Sequence, residues 1–459
     1  MADEASGGKD ENALSRGQMI LFGFPSLPHA FIAMPLAIVI PTFYAANTTV
    51  TLAAIALVTS LTRIADAITD PMIGYLSDRT RGRLGPRKPW VIAATILCAV
   101  SIFFLFQPPK DTTFVYYAVW SFLLYFGFTL FEIPRSAWGA ELSRDYLVRA
   151  RIMGWVSVFS IAGSLVFWLV PIGMSYFTGS TELGAPSLTV IAWLYAILMP
   201  AGMGLAILFV PAGRTGEAAP PTLRQILRSL GGNGLLHRYF MIIGAWGLGQ
   251  GAYLSVILIF LSGYLRMAAI FPFVMIGFFA IQIACMPFWV KMIARFGKHR
   301  VWAFSLAVDA ATRPLILLLS PGMDSLIGMI ALSALGAFLN APANVTPGAM
   351  LGDVVDYGIL KHRTNNAGNY FAIYTLLVKS TMALGAGLAF FTLDGFGYKV
   401  GGENGAHANM GLLIAYLGFP AAMYLVAAYF SWTFPLDARR HGVVRRKIER
   451  RAQAAAAGA

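Results

Sequence analysis

The chain is 58% hydrophobic and only 12% charged, yet a few ionisable residues stand inside its long apolar runs. A charge placed in hydrocarbon costs at least ~2.5 kcal/mol, so each one implies a partner or a function. The stretch LTRIADAITDP carries Arg63, Asp66 and Asp70, which on a helix fall within about 60° of one another. Two carboxylates on one face can hold a sodium ion or share a proton. The competing reading is an ion-pair lattice between helices, although one arginine does not neutralise both acids. In TLFEIPRSAW, Thr129, Glu132 and Arg135 follow at steps of three and can share a face. Thr129 can add an oxygen to a cation held by the aspartates. Glu132 and Arg135 can grip a polar ligand through charged and bidentate hydrogen bonds, or neutralise each other. Lys379, in YTLLVKSTMALG, has no acid within four residues, so its countercharge must come from another helix or a ligand; snorkelling to an interface is the alternative. Asp309 and Arg313, four apart, read first as a structural pair. His29, Gln250, Tyr253 and Asn344 are polar residues able to line a cavity.

What must position these groups is a set of membrane helices. Continuous apolar runs of roughly 20 residues suit ~30 Å of hydrocarbon, and their lack of alternation excludes a β-barrel. Twelve spans are expected, near residues 18–45, 49–76, 90–107, 113–139, 152–176, 187–211, 239–263, 267–292, 300–320, 324–350, 366–392 and 407–434. The division expected is a six-helix half at 1–211, a polar central loop at 212–238, a second half at 239–437 and a basic tail at 438–459. Within the central loop, TLRQILRSL has the pattern of a short surface helix. The polar N-terminal stretch and the missing cleavage pattern leave the first run as a span.

Charge sets the orientation. Of the 34 Lys and Arg, outer loops would carry only Lys110, Arg266 and Lys399, and the spans Arg63, Arg135, Arg313 and Lys379. The rest fall on inner loops and tails, which puts both termini in the cytoplasm. The pI near 9.8 therefore reflects anionic lipid headgroups as partners and not nucleic acid. Cys98 and Cys285 read as small buried apolar residues. The six His are scattered and no GxxxxGK[ST] motif occurs, so neither an enzyme nor an ATPase is expected. In GYLSDRTRGRLGPRKPW, Asp78 and the arginines from Arg79 onward can pair and cap neighbouring helices as a gate; PFWVKMIARFGKHR is the related stretch of the second half.

The segments RIADAITDPMIGYLSDRTRGRLGPRKPW, FEIPRSAWGAELSRDY and MLGDVVDYGILKHRTNNAGNYFAIYTLLVKS resemble the glycoside–pentoside–hexuronide:cation symporters, the melibiose permease family of the major facilitator superfamily. That resemblance implies an all-α, polytopic fold of twelve transmembrane helices in two six-helix halves. It implies a cation site at Asp66, Asp70 and Thr129, with Thr69 where Asn is frequent. It implies that Lys379 links cation and substrate, that Glu132 stands where an Asp grips sugar hydroxyls, and that Arg149 sits near a cytoplasmic-end arginine. Two departures shift the expected pocket towards positive charge. Ala30 replaces a sugar-binding acid, preceded by His29, and Ser136 replaces a stacking Trp, preceded by Arg135.

The function expected is secondary active symport by alternating access in a bacterial inner membrane, coupled to Na⁺ or H⁺ and moving a sugar, glycoside or acidic sugar derivative. Asp66 and Asp70 hold the metal ion if it is sodium, and no other cofactor is required. Glu132, Arg135, Lys379, His29, Tyr253 and Gln250 are the expected substrate residues; Arg63, Asp78, Arg79, Arg149 and Lys379 are the expected coupling and gating residues. The chain is expected to act as a monomer. The alternatives are a lysolipid or amphiphile carrier of the same superfamily and a non-transporting membrane sensor.

Overall fold

The computed structural model describes residues 14–109, 111–143, 146–212, 234–362, 367–437, 440–444, 446, 447 and 450. Twelve helices are long and apolar enough to cross a membrane. They are α1 (Arg16–Asn47), α2 (Leu52–Arg79), α3 (Lys88–Phe106), α4 (Phe114–Gly139), α5 (Arg151–Thr178) and α6 (Ala185–Phe209). The second series is α7 (Gly234–Tyr264), α8 (Ala268–Phe296), α9 (Lys298–Leu318), α10 (Met323–Lys361), α11 (Ile373–Gly395) and α12 (Ala406–Trp432). All twelve coincide with the expected spans, and the largest difference is α10. It continues past residue 350 because a 3₁₀ turn at Ala341–Asn344 leads into a further helix, Thr346–His362. The mixed sequence DVVDYGILK lacks the apolarity that marks a span. The central TLRQILRSL segment lies outside the described residues.

The helices separate into two compact units. One comprises 1–36, 65–174 and 183–220, the other 37–64, 175–182 and 221–459. In the first, α1 packs on α6, and α3 on α4 and α6. In the second, α7 packs on α11 and α12, α9 on α12, and α8 on α10. The pairs α1–α6 and α3–α6 thus have counterparts in α7–α12 and α9–α12.

Small residues permit the closest approaches, as expected where lipid tails offer no hydrophobic drive to helix association. In the first unit a Cβ on Gly163 of α5 would stand 2.1 Å from the Leu27 carbonyl oxygen of α1. In the second, a Cβ on Gly385 of α11 would stand 2.0 Å from the Leu248 carbonyl oxygen of α7, and one on Gly251 of α7 would stand 1.7 Å from that of Met382. Large apolar side chains on the outer faces, such as Leu208, Ile327 and Leu318, are more than three-quarters exposed. In a chain of such spans these faces meet hydrocarbon, not water.

Neither α1 nor α7 is a uniform rod. α1 runs as Arg16–Gly23, Ser26–Met34, a π turn at Pro35–Val39, and Ile40–Asn47; α7 ends in a π turn at Phe260–Tyr264. Ser15 and Gln18 form a capping box at the start of α1, and Gln18 Nε2 donates to the Phe209 carbonyl at the end of α6, 3.0 Å away. Lys88 closes the same end of α6, with Nζ 2.7 Å from the carbonyls of Ile207 and Val210. A cation at a helix C-terminus meets the negative end of its dipole.

Candidate functional site

Four residues of the expected cation site lie in the first unit. Asp66 is 5% and Thr129 1% exposed; Thr69 and Asp70, one turn along α2 from Asp66, are half-buried. A carboxylate this deeply placed in a membrane helix requires compensation by a cation, a proton or close dipoles. The side chain of Arg63 lies outside the described residues, as does that of Arg149. Among the described residues no group of three or more His, Cys, Asp or Glu is placed to hold a metal ion.

α4 brings the expected substrate residues to α1. His29 Nε2 stands 3.3 Å from Glu132 Oε2. The imidazole is stacked on Phe128, centroids 4.4 Å apart, and tilted on Phe131 at 4.3 Å. His29 is buried, whereas Glu132 is half-exposed. The pair thus has an aromatic wall on the His side and an accessible carboxylate on the other. It can accept hydroxyl donors, attract a cationic group or hold a proton between its members.

Arg135 is placed differently from the expectation that it grips substrate. Its Nη2 donates to the Phe22 carbonyl at 2.8 Å and to Ser26 Oγ at 2.6 Å, and the guanidinium lies over the rings of Phe22 and Phe131 at 5.0 and 5.2 Å. These contacts surround the point where α1 breaks before Pro25, which lacks the donor that would continue the ladder. Arg135 is a clamp on that break: it supplies hydrogen bonds to α1 and holds the segment carrying His29.

In the second unit, Lys379 sits half-buried in the first third of α11. Gln250 and Tyr253 join a network that separate sequence positions did not reveal. The Gln250 side-chain oxygen accepts from the Tyr424 hydroxyl and from Asn340 Nδ2 at 3.4 Å. Arg313 donates through Nε and Nη2 to Asp309 Oδ2 at 3.2 and 3.0 Å. Its guanidinium lies over Tyr253 at 4.2 Å and Tyr424 at 4.7 Å. Asp309–Arg313 is therefore the i,i+4 pair the spacing indicates. The clue to the wider network was that Gln250 and Tyr253 are three apart on α7, opposite two charges on α9.

The loop after α2 is centred on Arg87, which the sequence reading did not single out. Arg87 Nε and Nη2 donate to Glu141 Oε1 at 2.9 and 2.6 Å, and Nη1 to Ser77 Oγ at 2.7 Å; Nη2 also contacts Asp78. Burial opposes this charge, but the hydrogen bonds to Glu141 and Asp78 outweigh it and raise the pKa above the ordinary guanidinium value. Asp78 thus pairs with Arg87, while Arg79 lies over the Tyr75 ring at 4.1 Å.

Comparison with known proteins places the whole arrangement. The family model described as MFS/sugar transport protein matches residues 21–438. The chain belongs to that family. It is similar to sodium-dependent lysophosphatidylcholine symporter 1 of Gallus gallus, with 24% identity over 431 residues, covering 81% of this chain and 77% of the relative. It is similar to the inner membrane symporter YicJ of Escherichia coli K12, with 25% identity over 394 residues, covering 81% of this chain and 82% of the relative. The solved nucleoside transporter NupG has the same fold, with TM-score 0.65 and 14% identity over 92% of this chain and all of NupG. The chain is accordingly a multi-pass, secondary-active transporter of the major facilitator superfamily that moves a small molecule, and it is not an enzyme.

Proposed function

We propose that this transporter is a cation-coupled symporter whose substrate is an amphiphile, with a lysolipid as the leading class, and whose driving ion binds at Asp66 and Asp70. The observation that carries the coupling is the buried Asp66, with Asp70 one turn on in the same membrane helix. The likeness to a symporter named for sodium and lysophosphatidylcholine supports both ion and substrate. The missing first-helix acid at Ala30 and the placement of Arg135 against α1 weaken a sugar-gripping pocket. The half-exposed Glu132, braced by His29, would meet the polar head. Lys379 would link ion and substrate from the second unit, while Asp78, Arg79 and Arg87 would work as gating elements.

Transport follows as alternating access between two six-helix halves. Ion binding raises substrate affinity, and by reciprocity the substrate raises ion affinity. A second reading, symport of a sugar, glycoside or acidic sugar derivative, is favoured by the description of the family model and by the hydroxyl-binding capacity of Glu132.

The test is thermal stability of the purified protein titrated with Na⁺ against choline at several pH values, beside Asp66→Asn, followed by uptake into proteoliposomes. Na⁺ at 100 times its Kd should stabilise by ~2.7 kcal/mol through linkage, and Asp66→Asn should abolish that and ion-driven uptake. Lysophosphatidylcholine should be the substrate accumulated. Unimpaired accumulation by Asp66→Asn would refute the coupling assignment; sodium-driven uptake of a glycoside but no lysolipid would establish the second reading.

A further inference from the structure

Two cavities of the second unit share a wall. The smaller, about 60 Å³, is lined by Tyr253, Asp309, Arg313, Ser333, Gly336 and Tyr416. The larger, about 320 Å³, lies between α8 and α10 and is lined by Phe273, Val274, Gly277, Phe278, Ile330 and Ser333. Ser333 belongs to both, which sets a chamber that holds one ion pair among apolar side chains such as Ile316 and Met329 against an apolar groove. Phe273 and Ile330 are each 52% exposed, so the groove reaches the face that meets hydrocarbon.

The chamber holds an unfinished recognition element. Arg313 has five N–H donors; Nε and Nη2 serve Asp309, and Nη1 makes no hydrogen bond among the described residues. The side chain is only 8% exposed. One edge of the guanidinium thus satisfies its internal partner while another remains for a second acceptor, with tyrosine rings on its faces. At ~30 Å³ per water, the chamber has the room of about two waters, enough for a phosphate or carboxylate group. The groove has the room of about ten waters at the same ~30 Å³ each, enough for much of one acyl chain.

We propose that these cavities form a binding site for a single-chain lipid that carries a phosphate or carboxylate, with the acyl chain in the α8–α10 groove and the anionic group on Arg313. None of Asp66, Glu132 and Lys379 lines either cavity, and the site deepens the amphiphile reading on which it rests. The ion-pair chamber alone would suit many small anions, and an apolar groove alone any bilayer tail. Their junction at Ser333 selects a molecule carrying both on one chain.

Two glycines allow a clean test. A Cβ added at Gly277 in the groove or Gly336 in the chamber meets nothing within 4 Å, so Gly277→Leu and Gly336→Leu put apolar bulk into the cavities from an unobstructed Cβ, and Leu is a better helix former than Gly. The full chain would be placed in phosphatidylethanolamine nanodiscs. It would then be labelled with palmitoyl lysophosphatidylcholine or palmitate, each bearing a diazirine on its chain. Both probes should crosslink to residues 270–281 and 326–334, with at least tenfold weaker capture in Gly277→Leu. Gly336→Leu should weaken the probe whose head occupies the chamber, which tells phosphate from carboxylate. Crosslinks elsewhere, or equal capture by wild type and Gly277→Leu, would overturn the site. If lysolipid uptake persists in that case, the amphiphile reading survives the loss of this site. If neither probe is captured and a glycoside is transported instead, both fall together.

Discussion

Arg135 shows how a residue whose type suits a ligand can spend its hydrogen bonds on its own protein. Its spacing from Glu132 was legible in the sequence, but direction depends on the break in α1, which only the folded chain reveals. Losing the bonds to Phe22 and Ser26 removes charge-assisted contacts worth ~1.5–3 kcal/mol each when buried. Arg135→Ala should therefore lower the melting temperature clearly and reduce uptake of acidic and neutral substrates by the same factor. A variant as stable as wild type that loses acidic substrates alone would return Arg135 to the ligand. The burial of Asp66, by contrast, is what an acid inside an apolar run leads one to expect, because a charge facing hydrocarbon is costly. Arg87 was not legible, because an arginine in a basic loop looks like its neighbours until Glu141, 54 residues away, is brought to it.

The twelve spans were readable because the bilayer imposes one length and one composition on each. Their packing was less so. GLGQG in α7 contains Gly247 and Gly251 four apart, a small-residue spacing suited to close helix contact, yet glycines are so frequent in this chain that these did not stand out. The approach of Gly251 to the Met382 carbonyl leaves no room for a side chain, and the obstacle is backbone that cannot swing aside. Gly251→Val should separate α7 from α11, giving little folded protein by fluorescence-detected size exclusion. Gly277→Leu on α8 should express as wild type does. A Gly251→Val protein of normal yield and melting temperature would contradict the packing described here.

For the molecule as a whole, one loop residue makes a definable contribution to pH dependence at the alkaline end. Tyr398, between α11 and α12, is 5% exposed, and burial pushes its hydroxyl from 10.0 up to about 12. Between those values the folded protein keeps a proton that the unfolded chain has lost, so stability falls as pH rises from about 10 to about 12. Tyr398→Phe should flatten that part of the pH–melting profile, and an unchanged slope would assign it to other groups. Arg87 contributes nothing to pH dependence at neutral values, since its raised pKa keeps it charged throughout. The chain passes from one unit to the other between Leu36 and Ala37, inside the turn Pro35–Val39. An i→i+5 turn carries one residue more than an α-helical ladder needs, so the register of Ile40–Asn47 is offset by one residue from that of Ser26–Met34. Deleting a single residue there would let the ladder close into a stiff beam and turn Ile40–Asn47 by about 100° relative to Ser26–Met34.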